Sequence, residues 1–145
     1  MVEAGQEARG RALVTALDHA GLSVGDLDAA RGFYERAFGF ELEFAFDLPG
    51  GIRGAMLRLE SGGRLELFEH PAPEAGLTPV SPLEAPATRG YGHFALSAPD
   101  IDAVFERAWR AGAAEKVSQG PSPEPGRRFA FLADPEGNLV ELVER

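Results

Sequence analysis

The chain carries one pattern twice, and that duplication narrows the folds open to it. Residues 18–29 (DHAGLSVGDLDA) line up with residues 92–103 (GHFALSAPDIDA), 74 positions further on, sharing the His, a Leu, a Ser, two Asp and the last Ala. Residues 65–69 (LELFE) line up with residues 140–144 (VELVE) at an offset of 75. One residue of slippage between the two blocks is what a single loop insertion produces. The pattern divides the chain into a tail (1–15), a first module (16–70), a connector (71–89) and a second module (90–145). A chain of 145 residues is enough for one compact domain or for two small modules sharing a core.

Within each module the order reads strand, helix and three strands, an α+β arrangement of two tandem βαβββ units. In the first, strands are expected over 17–24, 41–46, 53–59 and 64–69. Asp26 and Asp28 start a helix whose apolar positions Leu27, Ala30, Phe33, Tyr34, Ala37 and Phe38 recur at helical spacing, and Gly39 ends it. The second module gives strands over 92–97, 115–118, 129–133 and 139–143. Its helix carries Ile101, Val104, Phe105, Ala108 and Trp109 and closes at Gly112. Helical Phe residues and Trp109 are expected in the core. The connector, with Pro71, Pro73, Pro79, Pro82 and Pro86, is expected to be extended and semi-rigid.

Composition removes several classes of function. There is no cysteine, which excludes disulfide scaffolds, thiolate zinc sites and cysteine nucleophiles. Fourteen Lys and Arg against 23 Asp and Glu leave a net charge of −9, unsuited to a sequence-independent grip on nucleic acid. No apolar run reaches the ~18 residues of a membrane span, and the first ten residues lack an apolar signal core. A cytoplasmic protein binding neither nucleic acid nor membrane is the expectation.

Side chains alternate across a strand. Ala20, Leu22 and Val24 therefore share one face of the first strand, while His19, Gly21 and Ser23 share the other. In the repeat, Phe94, Leu96 and Ala98 oppose His93, Ala95 and Ser97. Only small residues flank each histidine, leaving open space above the sheet. In the last strands Leu65 and Leu67, like Val140 and Leu142, face the helices, so Glu66 and Glu141 point the other way. If a pseudo-twofold relates the modules, His19, Glu66, His93 and Glu141 can converge. Two imidazoles and two carboxylates suit a divalent first-row metal. Either residue type alone on a strand is ordinarily a solvated or hydrogen-bonded group; recurrence at equivalent positions is what favours a metal role. His70 lacks a partner in the repeat and reads as a surface or substrate-pocket group.

These residues resemble the vicinal oxygen chelate superfamily, also described as glyoxalase, bleomycin-resistance and extradiol dioxygenase proteins. The resemblance covers residues 16–145. It rests on His19 with GDLD (25–28), Phe33-Tyr34, FGF (38–40), Leu65-Glu66-Leu67, Gly92-His93, and DPEGN (134–138) through Glu141-Leu142. It implies a cupped mixed β-sheet with helices outside, frequently in a homodimer, with one divalent ion (Ni, Co, Zn, Mn or Fe) per site.

The ligand set is most similar to that of lactoylglutathione lyase (glyoxalase I)-like members. Dioxygenase-like and fosfomycin-modifying members typically use two His and one Glu, methylmalonyl-CoA epimerases have Gln at the place of Glu66, and drug-sequestering members usually lack the ligands. The resemblance thus implies a metal-dependent lyase or isomerase acting on a small vicinal-oxygen substrate, such as a 2-oxoaldehyde thiol adduct, through a metal-stabilised enediolate. Glu141 is the first choice as proton-shuttling base and Glu66 its counterpart. Arg89, within RGYGH (89–93), is similar to a glyoxalase arginine that holds a glutathione carboxylate. Ser23 and His70 stand where a second arginine and an asparagine contact glutathione in those relatives. Arg127 or Arg128 offers another anion contact. The competing readings are an extradiol-type dioxygenase and a non-catalytic binder of flat drugs, the latter lined by Phe44, Phe46, Phe68 and Tyr91.

Overall fold

A computed structural model describes residues 13–145; most of the expected tail lies outside the described residues. In the first half, β1 (Ala20–Ser23) leads into α1 (Leu27–Phe38), followed by β2 (Glu41–Leu48), β3 (Ile52–Arg58) and β4 (Arg64–Glu69). The second half repeats the order with β5 (His93–Ala98), α2 (Ile101–Arg110), β6 (Ala114–Pro121), β7 (Arg128–Ala133) and β8 (Leu139–Glu144). The connector carries a 3-10 turn at Ala85–Ala87. The strands form two four-stranded mixed sheets of the same topology, β1-β4-β3-β2 and β5-β8-β7-β6. The first strand of each half pairs parallel with the last, which places Gly21 opposite Glu66 and Ala95 opposite Glu141.

The same local devices build both halves. Asp26 accepts a hydrogen bond from the Ala29 amide at 3.0 Å, and Asp100 from the Ala103 amide at 3.2 Å, capping the free N–H groups of α1 and α2. Gly39 ends α1 with φ 80°, where its amide meets the Tyr34 and Glu35 carbonyls. An ionic clasp then ties each helix start to its sheet. Arg53 reaches Asp28 and Glu69, both at 3.3 Å, while Glu69 also accepts from the Leu27 amide at 2.7 Å. Arg128 likewise reaches Asp102 at 2.9 Å and Glu144 at 3.3 Å, and Glu144 accepts from the Ile101 amide at 3.3 Å.

One core serves both halves. Leu57, Leu65 and Leu67 of the first sheet and Ala130, Leu132, Val140 and Leu142 of the second are essentially inaccessible, joined by Phe33, Tyr34, Ile101 and Ala108 from the helices. Burying each large side chain contributes about 1.5–3 kcal/mol. At the seam, the Tyr34 hydroxyl donates to Asp134 at 2.8 Å. Asp134, the buried charged residue among those described, also accepts from the Glu136 and Asn138 amides and the Asn138 side chain. Burial and the neighbouring carboxylate raise the Tyr34 pKa far above its usual range, so the hydroxyl remains a donor.

Trp109 corrects one expectation: it is 62% exposed. Ile101, Val104, Phe105 and Ala108 take the inward stripe of α2, and α2 ends one residue after Trp109. At the 74-residue offset Trp109 matches the polar Glu35, while Ala108 matches buried Tyr34. The first strand begins at Ala20 rather than residue 17, because its partner β4 starts at Arg64 and the pairing opens with Ala20 opposite Leu65. Strand β6 is longer than expected, carried past two register irregularities to Pro121.

Candidate metal and substrate site

In both first strands the alternation holds. Ala20, Leu22, Phe94, Leu96 and Ala98 turn toward the core, and Gly21, Ser23, His93, Ala95 and Ser97 are exposed on the opposite face. His19 sits one residue before β1 on this open face, its Nε2 lying 3.3 Å from Glu66 Oε1. In the second half His93 Nε2 lies 3.0 Å from Glu141 Oε2. The two glutamates keep about one fifth of their side-chain surface accessible. Donors sharing one ion at bond lengths of about 2.0–2.2 Å stand about this far apart, and neutral nitrogen with carboxylate oxygen is a donor set such ions accept. Each pair therefore fits half of a divalent metal site.

The surroundings of the two histidines differ. His19 Nδ1 lies 2.6 Å from Asp18 Oδ2, and Asp18 accepts from Arg64 Nη1 at 3.0 Å. Arg64 is also held from the side by Glu43, at 3.0 Å from Nε and 3.4 Å from Nη2. Glu43 is the extra residue of the β2 bulge between Leu42 and Phe44, and a bulge of that kind re-aims a side chain. The hydrogen bond to Asp18, followed by the charges of Glu66 and Asp18, raises the His19 pKa above its ordinary 6.5. Asp18 is held low in turn, first by its hydrogen bond to His19 and then by Arg64. His93 instead stands edge-on to Phe131, with ring centroids 4.8 Å apart.

Aromatic groups line the rest of the open faces. Phe46 packs edge-on to Phe68 at 5.8 Å and beside Phe44 at the same distance. Its ring occupies the place of a side chain at Gly54, where a Cβ would stand 2.2 Å from Phe46 Cζ. Across the other sheet, Phe129 and Phe131 form a similar edge-on pair at 5.9 Å.

The remaining candidates are more scattered. Ser23 is exposed at the end of β1, on the His19 face. Arg89 and Tyr91 are exposed in the segment that leads into β5. His70 is exposed just past β4, where its Nδ1 accepts from the Ala72 amide at 3.0 Å and shapes the turn into the connector. Arg127 lies 3.8 Å from Glu124 in the β6–β7 loop. Arg128 is not a spare anion contact: Asp102 and Glu144 already neutralise its guanidinium.

The structure joins His19 to Glu66 and His93 to Glu141, but it does not join the two pairs. Among the described residues no three His, Asp or Glu side chains come together to hold one ion. Asp18, Arg64 and Glu43 were not singled out from sequence. The signal available was an acidic residue directly before a strand histidine, with an arginine two positions before the paired glutamate.

Comparison with known proteins identifies what the chain is similar to. Residues 16–142 match the family model of the Glyoxalase/Bleomycin resistance protein/Dioxygenase superfamily. A 2-epi-5-epi-valiolone epimerase from Actinomyces sp. is 30% identical, across 93% of this chain and 82% of its own length. A lactoylglutathione lyase from Arabidopsis thaliana is 30% identical over 88% of this chain and 43% of its own. The crystal structure of glyoxalase I from Zea mays superposes with a TM-score of 0.73 at 26% identity, covering 89% of this chain and 44% of that one. The chain thus spans less than half the length of the latter two relatives. None of its described helices is long and apolar enough to cross a membrane.

Proposed function

The chain belongs to the glyoxalase/bleomycin resistance protein/dioxygenase superfamily, and on that premise we propose that it is a metal-dependent lyase or isomerase acting on a small substrate with two vicinal oxygens. The observation that carries this reading is the recurrence of one His–Glu pair on the same face of both sheets, at 3.3 and 3.0 Å. His19, Glu66, His93 and Glu141 would hold the ion, which when bound supplies Lewis acidity toward a carbon-bound proton beside the substrate oxygens. Because the two pairs stay apart within one chain, a site is completed by the first half of one copy and the second half of another, in a homodimer.

The protein's own part is positioning and proton transfer. Glu141, beside His93 and the Phe131 ring, takes the proton from one carbon and returns it to its neighbour. Glu66 is the counterpart on the opposite side. Phe46 and Phe68 exclude water from the open face of the first sheet, and Ser23 offers a hydroxyl near it. Arg89, Arg127, Tyr91 and His70, exposed or half-held around the strand ends, would meet the outer, polar part of a thiol adduct. Serine at position 23, where glyoxalase relatives carry an arginine, favours a thiol other than glutathione. An epimerase reading shares the same proton transfer and is supported by the match to the valiolone epimerase, which spans 82% of that relative's length.

The test is to strip metal with a chelator, restore nickel, cobalt, manganese or zinc, and assay methylglyoxal with a panel of thiols. Turnover that needs both metal and Glu141 is expected, with Glu141→Gln lowering kcat about 100-fold or more. No turnover with any metal–thiol pair would overturn the lyase reading.

A further inference from the structure

Placing the two halves in register shows one network that the duplication did not keep. Asp18 matches Gly92, and Arg64 matches Leu139. In the bulge, Glu43 is the extra residue between Leu42 and Phe44, and Lys116 the extra residue between Glu115 and Val117. Three linked side chains around His19 are thus replaced together around His93 by groups that cannot form the same chain. The difference reaches a specific atom. Asp18 engages Nδ1 of His19 at 2.6 Å, while Nε2 points to Glu66. A carboxylate on Nδ1 keeps the proton there and leaves Nε2 as the free donor, and it restrains rotation of the ring.

From this we infer that Asp18, braced by Arg64 and Glu43, is a positioning residue that presents His19 Nε2 and makes the first-half pair the pre-organised anchor of the metal. The inference rests on the proposed metal-dependent reading. Asp18 is 69% exposed at its side chain, and exposed ion pairs contribute little to folding. Orientation of the imidazole is therefore the effect to look for. Arg64 lies two residues before Glu66, on the same face, so its guanidinium fixes Asp18 from the strand that carries the other donor. The His93–Glu141 pair lacks such a brace, because Gly92 and Leu139 stand where Asp18 and Arg64 do.

The experiment is calorimetric titration of cobalt into the full-length apoprotein, with the visible ligand-field spectrum recorded on the same samples. Asp18→Asn and Arg64→Leu should each weaken cobalt binding by about 10- to 100-fold and alter the spectrum, while melting of the metal-free protein stays near that of the wild type. Lys116→Gln, at the matching bulge of the other half, should leave affinity within about threefold. In the zinc-loaded protein, imidazole nitrogen resonances should show His19 protonated at Nδ1. Cobalt affinity and spectrum unchanged in Asp18→Asn, with the wild type binding normally, would overturn this inference and leave the proposed function standing. A wild-type protein that takes up no ion would overturn both.

Discussion

The two halves share a frame and differ at the seam between them and on their open faces. Both carry an Asp cap, an Arg–Asp–Glu clasp, a parallel first and last strand, and a His–Glu pair on the open face. Yet the first half sets Tyr34 against Asp134 where the matching positions hold Ala108 and Leu59. Phe46 rests on Gly54 in one sheet, while the other pairs Gly120 with Phe129, large and small exchanged between strands. Features that make a βαβββ unit fold are retained twice. Features that fit one half to the other, or tune one donor, exist once.

The largest expected effects fall on what is shared. Leu67 and Leu142 are wholly buried at equivalent places, so Leu67→Ala and Leu142→Ala should each cost about 2–5 kcal/mol in urea unfolding. Values differing by more than twofold would break the idea of a single symmetric core. Next comes the unshared seam. Tyr34→Phe removes the hydroxyl bonded to Asp134 and should cost about 1.5–3 kcal/mol.

Smaller effects sharpen the contrast on the open faces. Gly54→Ala would drive its methyl into the Phe46 ring and should cost about 1–3 kcal/mol. Gly120→Ala meets only the Ser118 carbonyl at 4.0 Å and should stay within about 0.5 kcal/mol of the wild type. Smallest is an acid-side effect at the clasp. The hydrogen bond and charge of Arg128 hold the Asp102 carboxyl below its ordinary 3.8. Because the folded pKa is the lower one, this contribution is fully present above the unfolded value and is lost as pH falls below it. Urea midpoints of Asp102→Asn should therefore converge on those of the wild type as pH drops below 3.8.

Much of this was legible from residue order because it depends on short-range periodicity. The start of α1 follows from Asp26, which Asp100 matches in the repeat, and the open face follows from His19, Gly21 and Ser23 alternating with apolar neighbours. The clasps were half legible, since Glu69 and Glu144 match in the repeat. Arg53 and Arg128 sit on strands that align only once the hairpins are built. That Arg128, of the two arginines offered as an anion contact, is the one held in a clasp was not legible, because its partners lie 16 and 26 residues away. Trp109 deceived for a related reason: its spacing is helical, but Ala108 already holds the inward position. Separation of the two His–Glu pairs could not be read at all, because packing of one sheet relative to the other leaves no trace in strand periodicity.

The seam between Tyr34 and Asp134 has a consequence for any attempt to divide the polypeptide. Cut within the exposed stretch between β4 and the 3-10 turn, the molecule would yield two fragments, each with a complete sheet and a complete clasp. Alone, each would leave a greasy helix flank bare, and the later fragment would keep a carboxylate deprived of its phenolic donor. Mixed, they have every reason to reassociate, so that a molecule descended from a doubled ancestor remains separable in its covalent chain but not in its interior.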